Sequence, residues 1–253
     1  YNAQGQLGNG NTGNQSIPAS ISDKGDLSGK IISSIRVGSS QSFAIDADGK
    51  VYAWGSNNYG QLGYGNDATQ KLPVLISDSG ALAGKLITSI SSGEYHSIAL
   101  DSDGRLYSWG RNDQGQLGTG NTDDQFSPVL ISDSGALAGN SIASIAAGGQ
   151  YSFALDYGGK LYAWGSNNYS VEANSSPVLI SSNTLSSSGT IKAISLGYYH
   201  ATALSADGKV YDWGYNGYGQ LGTGNTAQQN SPVSVKADLL PLTPPTITFG
   251  SSS

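Results

Sequence analysis

Apolar and polar positions alternate in short runs along this chain, and the runs return in the same order about every fifty residues. Within 86–140 the alternation marks four segments, at 87–90, 96–100, 105–109 and 128–131, each rich in β-branched or aromatic residues and bounded by Gly, Asp, Asn or Ser. Period-two patterning between such breakers predicts β-strands, because successive side chains of a strand point to opposite faces. The third segment of each set ends in a Trp-Gly pair, at Trp54-Gly55, Trp109-Gly110, Trp164-Gly165 and Trp213-Gly214. Self-similarity at this period predicts stacked four-stranded units, the blades of a β-propeller.

Four full units occupy 31–85, 86–140, 141–190 and 191–240, after a partial unit at 1–30. The end, 241–253, lacks the pattern, carries Pro244-Pro245 and is expected to be a Pro/Ser-rich linker or tail. Pro18, Pro73, Pro128 and Pro177 each stand 36 residues before the next tryptophan and are expected to open the fourth strand. From tryptophan to the following proline the interval is 19 residues, except after Trp164, where it is 13, so one loop carries the difference. Asp48-Gly49, Asp103-Gly104, Gly158-Gly159 and Asp207-Gly208 fall where a tight hairpin needs positive φ. Almost no helix is expected, since Met is absent and all but two of the 18 acidic residues are Asp. Counting 19 residues back from Pro18 places a tryptophan ahead of Tyr1, so the chain is expected to start inside a blade, as part of a longer polypeptide.

The segments Gly93-Glu94-Tyr95-His96-Ser97-Ile98-Ala99-Leu100, Asp103-Gly104-Arg105-Leu106-Tyr107-Ser108-Trp109-Gly110 and Asn112-Asp113-Gln114-Gly115-Gln116-Leu117-Gly118 together resemble the repeat of the regulator of chromosome condensation (RCC1) family. The likeness runs through 1–240. It implies an all-β, RCC1-like β-propeller, usually of seven blades, so four repeats and a partial one imply an incomplete ring or a fragment. The resemblance does not select one function, because relatives include a nucleotide exchange factor for a small GTPase that binds nucleosomes, a secreted bacterial inhibitor of β-lactamases, and repeats of large bacterial surface proteins. The long wedge hairpin and basic tail of the exchange factor have no counterpart in these repeats.

Charge and composition narrow the partners. A net charge of −6, with twelve scattered Lys and Arg, offers no basic stripe for nucleic acid. No apolar run approaches the length of a membrane span. Without cysteine there are no disulfides or thiolate metal sites, which suits an exported bacterial protein at an extracellular or cell-surface location. No cofactor is expected.

His96 and His200 share the position Gly-x-x-His, but its equivalents are Gln41 and Tyr151, so a hydrogen-bonding or packing slot is expected rather than a general base. Asp46-Ala47-Asp48-Gly49 and Asp101-Ser102-Asp103-Gly104 resemble the opening of a calcium loop but lack the later Glu, which favours hairpin turns. The Gly-rich loops beginning at Gly60, Gly115 and Gly219 lack the following helix of a phosphate cradle; Leu62, Leu117 and Leu221 are expected to anchor them to the blade. What the repeat leaves free lies in two places, the pair before the Gln/His/Tyr slot and the residues after Trp-Gly. The candidate binding residues there are Tyr59, Glu94, Tyr95, Arg111, Asn112, Gln150, Asn168, Tyr169, Tyr198, Tyr199, Tyr215 and Tyr218. Tyrosine faces with amide and hydroxyl neighbours bind polar surfaces at low entropic cost. The expected function is a non-enzymatic binding or display module of an exported protein, recognising a protein or glycan, with self-assembly through open blade edges. An RCC1-type exchange factor for a small GTPase is the alternative.

Overall fold

The structure is a computed structural model and describes residues 1–166, 174–180, 185 and 190–235. Four antiparallel sheets of four strands follow one another along the chain. The first contains β1 (Ile32–Val37), β2 (Gln41–Asp46), β3 (Val51–Gly55) and β4 (Gln70–Leu75); the second β5 (Ile87–Ser92), β6 (His96–Asp101), β7 (Leu106–Gly110) and β8 (Gln125–Leu130). The third contains β9 (Ile142–Ala147), β10 (Tyr151–Asp156), β11 (Leu161–Gly165) and β12 (Asn174–Leu179); the fourth β13 (Ile191–Leu196), β14 (His200–Ser205), β15 (Val210–Gly214) and β16 (Gln229–Ser234). Strands pair in sequence order, so the first and fourth strands of each sheet are its edges. Because β1, β5, β9 and β13 contact one another in turn, first strands lie at a common axis and fourth strands at the rim. This is the expected propeller. The ring stays open at the first sheet, where Ile35 is 67% exposed while its equivalent Ile90, faced by a preceding blade, is 1% exposed.

The hairpins form as the Asp-Gly pairs dictate. Gly49, Gly104, Gly159 and Gly208 have φ of 74°, 79°, 80° and 84°. The carboxylate two residues earlier closes the turn: Asp101 Oδ1 accepts the amides of Asp103 and Arg105 at 2.9 Å each, and its Oδ2 accepts the Tyr107 hydroxyl at 2.9 Å. Asp46 makes the same three bonds. Burial and this carboxylate push the Tyr107 hydroxyl up to about 12.

The fourth strands correct one expectation. Pro73, Pro128, Pro177 and Pro232 do not open them; each is the fourth residue of its strand, which starts at Gln70, Gln125, Asn174 or Gln229. Pairing passes from Gly55↔Gln70 to Ala53↔Val74, so Pro73 sits in a bulge of an edge strand, where its missing N–H leaves no ladder bond unmade. The carbonyls freed by these bulges are taken by the preceding repeat, with Gly10 N–H to Lys71 O and Gly65 N–H to Phe126 O both at 2.9 Å.

Each sheet packs its apolar face on the next. Phe43 meets Trp109 edge-on at 6.2 Å, and Phe153 stacks on Trp213 at 5.8 Å. A loop of the preceding repeat then covers the tryptophan: the indole N–H of Trp54 donates to Gln6 O, and that of Trp109 to Gln61 O, both at 2.9 Å. The same carbonyls accept the hydroxyls of Ser42 and Ser97. At the third sheet Gln116 O keeps the Ser152 hydroxyl at 3.0 Å, while the Trp164 indole N–H has no partner among the described residues. Leu62 and Leu117, the expected anchors, are wholly buried beneath their loops. Gly63 must be glycine, since its φ is +83° and a Cβ would lie 2.7 Å from Trp109 Nε1.

Gly63→Ala is expected to cost about 2–4 kcal/mol, from the left-handed backbone and the displaced indole together. Gly84→Ala, at φ +70° but with open space around it, is expected to cost only about 1 kcal/mol. Urea unfolding of the two variants checks the difference; equal losses would contradict the packing argument.

A candidate binding face at the mouth of the axis

The turn from first to second strand is built alike in every blade. Gly38, Gly93, Gly148 and Gly197 donate their amides to the carbonyls of Gln41, His96, Tyr151 and His200 at 2.8–3.0 Å. Glycine is required where blades approach, because a Cβ on Gly93 would come within 2.2 Å of Gly148 O. In the first three blades the residue closing the turn reaches the next blade: Gln41 Nε2 donates to Gly93 O at 3.0 Å, His96 Nε2 lies 2.8 Å from Ser152 Oγ, and the Tyr151 hydroxyl donates to Gly197 O at 2.9 Å. The Gln/His/Tyr position is therefore an inter-blade hydrogen-bonding slot. His96 is fully buried, and desolvation lowers its pKa to about 3. A ring so enclosed has no access to a substrate.

The segment after each Trp-Gly pair lies against the turn of its own blade. Ser56, Arg111, Ser166 and Tyr215 donate their amides to the carbonyls of Ser40, Tyr95, Gln150 and Tyr199 at 2.8–3.0 Å. The two variable segments thus merge on one end of the propeller, around the mouth of the axis. Neighbouring turns are also joined, with Glu94 N–H to Gly149 O at 3.0 Å and Gly149 N–H to Tyr198 O at 3.3 Å.

Eight of the candidate residues gather into two aromatic clusters and a link between them. Tyr59 and Tyr95 lie 5.1 Å apart, and the Arg111 guanidinium sits over both rings at 5.0 and 5.7 Å. Tyr198, Tyr199, Tyr215 and Tyr218 form a chain of edge-on contacts at 4.4, 6.3 and 6.0 Å. The link is the Tyr198 hydroxyl, which donates to Glu94 Oε2. Burial and this bond hold the Tyr198 hydroxyl well above its usual range, and the Glu94 charge raises Tyr95. Burial works against the Arg111 charge, but the Asp113 carboxylate, at 2.6 Å, keeps its pKa raised.

Gln150 is half-buried in the turn of the third blade. Asn112 is not on this face. It is completely buried, its side-chain oxygen accepting Leu117 N–H at 2.9 Å and its amide donating to the carbonyls of Asn121 and Asp123 at 3.0 Å each, so it shapes the loop. Asn2, Asn57 and Asn216 do the same in their repeats. Asn168 and Tyr169 lie outside the described residues. Sequence reasoning missed Asp113 as the partner of Arg111 and the axial glycines as the floor of the mouth; the recurrence of Gly at 38, 93, 148 and 197 was the available signal. Among the described residues no group of three or more His, Cys, Asp or Glu could hold a metal, and no helix is long and apolar enough to cross a membrane.

The fold defines a β-propeller repeat protein with its variable side chains collected at one end of the axis. The model of the RCC1-like domain matches residues 1–251, and the chain belongs to that family. Human E3 ubiquitin-protein ligase HERC2 is 35% identical over 167 residues, 65% of this chain and 3% of that protein. The Ultraviolet-B receptor UVR8 of Arabidopsis thaliana is 34% identical over 168 residues, 66% of this chain and 36% of that protein. The chain thus matches well under half the length of either relative. Among solved structures, human WBSCR16 superposes with a TM-score of 0.78 at 24% identity, covering 93% of this chain and 61% of that one. Yeast RCC1 (Prp20), solved bound to Kap60, gives 0.66 at 24% identity over 80% of this chain and 48% of that one.

Because folded His96 stays neutral, it contributes stability that is complete above its ordinary pKa of 6.5 and is lost as pH falls toward about 3. Within that window the unfolded chain binds the extra proton, at roughly 1.4 kcal/mol per pH unit. His96→Gln, which installs the residue found at the equivalent position 41, is expected to flatten the fall between pH 6 and 4 by that slope. Urea unfolding across this range checks it, and parallel slopes for both proteins would refute it.

Proposed function

We propose that this chain is a non-catalytic protein-binding module that recognises its partner through the tyrosine-rich face at the axial mouth. One observation carries the reading: among the described residues, two variable segments separated in sequence within a repeat are brought together on one end, while the Gln/His/Tyr slot, the turn glycines and the loop asparagines hold the blades and their loops together. Tyr218 is 89% exposed there, a large aromatic left in solvent by a chain that buries its tryptophans. Structurally similar proteins accord with binding, since yeast RCC1 was solved with Kap60 and Prp20p is described with binding properties to Gsp1p and histones. Likeness to those structures at 24% identity speaks to fold alone, so an exchange-factor role remains the second reading.

The absence of cysteine and the net charge of −6 support an exported or surface-displayed setting. The same tyrosine, hydroxyl and amide groups suit a glycan as the other class of ligand. Exposed Ile31, Ile35 and Val37 on the open first sheet support assembly with further blades, from whatever chain supplies them.

Tyr198→Ala combined with Tyr218→Ala is expected to lower affinity for partners recovered on the immobilised chain at least tenfold. Tyr157→Ala, which removes another largely exposed tyrosine from a hairpin at the opposite end, is expected to leave binding intact. Loss of binding with the Tyr157 variant alone would place the site elsewhere.

A further inference from the structure

We propose that the axial mouth beside Glu94 and Tyr198 is a receptor for one arginine side chain projecting from the protein bound on this face, an inference that rests on the binding-module reading above. The mouth is a cavity of about 260 Å³ built from residues 37–39, 92–94, 147–149 and 196–198, three consecutive residues from each of four blades. Five of these twelve are glycine, so much of the wall is bare backbone. Glu94 is the one carboxylate in it, and no Lys or Arg lines it.

Tyr198 prepares the site. Its ring leans across Gly149 so closely that a Cβ there would lie 3.0 Å from the ring, and this lets a hydroxyl of the fourth blade reach a carboxylate of the second. Glu94 is thereby fixed at the mouth, and a carboxylate holding one tyrosine proton retains further lone pairs for a cation. The half-exposed Tyr198 and Tyr199, in edge-on contact, give that cation aromatic surface beside its counter-charge. A planar guanidinium can stack on tyrosine while hydrogen-bonding a carboxylate; a compact ammonium does the first less well. The chain contains its own precedent on the same face, where Arg111 lies over Tyr59 and Tyr95 while bonded to Asp113. The hydrogen-bonded partner of that guanidinium is Asp113, with Glu94 acting on it through charge alone, so the Glu94 carboxylate is left to hydrogen-bond another. The net charge of −6 further favours a basic partner segment.

The test uses the ¹⁵N-labelled full chain titrated at low salt with N-acetyl-Gly-Arg-Gly-amide, and with the same peptides carrying citrulline or lysine. The arginine peptide is expected to shift amide resonances at 93–95, 148–150 and 197–199 in a saturable manner. Citrulline, which keeps the shape and loses the charge, is expected to bind at least tenfold more weakly, and lysine several-fold more weakly. Glu94→Gln, with its remaining spectrum unchanged, is expected to erase the preference for arginine over citrulline. Equal binding of citrulline, shifts confined to other surfaces, no shifts at all, or an undiminished preference in Glu94→Gln would each overturn the proposal, and lysine binding as tightly as arginine would overturn the guanidinium assignment. If the arginine receptor fails while the Tyr198/Tyr218 variant still loses its partners, only this inference falls and the binding face stands.

Discussion

The first sheet of this propeller is fastened to the second by a loop that crosses over and lies on the neighbour's tryptophan, Trp109. The contact joins a hydrogen bond, from the Trp109 indole to Gln61 O at 2.9 Å, to a close packing that only Gly63 permits. The bond orders the loop, and the packing removes the indole from water; at Trp164 the Gly118 packing is kept while the indole N–H has no partner among the described residues. Since the repeat at 1–30 lays Gln6 on Trp54 in the same manner, the contact is a property of the repeat and not of one blade. Stability in such a stack resides in nearest-neighbour interfaces, and each interface here centres on one indole.

This fastening also explains why the variable residues end up where they do. The Gln41, His96 and Tyr151 side chains, the turn glycines and the loop asparagines all serve contacts within or between blades. Two residues per turn and a few after Trp-Gly carry no such duty, and backbone bonds set these segments side by side. A rigid frame therefore presents an adaptable rim, the division of labour that lets one propeller family serve many partners. The Tyr198–Glu94 bond adds a tie between the fourth and second blades across the mouth, so the candidate face is partly ordered before anything binds.

Much of the frame was legible because its causes are local or periodic. The interval between tryptophans foretold four sheets, Asp-Gly foretold hairpins with positive φ, and a position shared by Gln41, His96, Tyr151 and His200 had to be structural. The fourth strands start earlier than the prolines suggest because a bulge places proline inside them, and carbonyls at the bulge accept amides of a neighbouring repeat. Asn112 looked like a surface amide because its fate depends on carbonyls nine and eleven residues further on. The meeting of Glu94 with Tyr198, 104 residues apart, depends on the curvature of the stack and on Gly149 leaving room, which no local pattern encodes.

Hydrogen exchange at the indole N–H groups of Trp54 and Trp109, followed in the intact chain, tests the fastening most directly. If the loops lock the blades, both protons exchange only when the whole stack unfolds, with a free energy equal to that of global unfolding. Exchange at a markedly lower free energy, through loops that lift off while the sheets stay folded, would contradict the account.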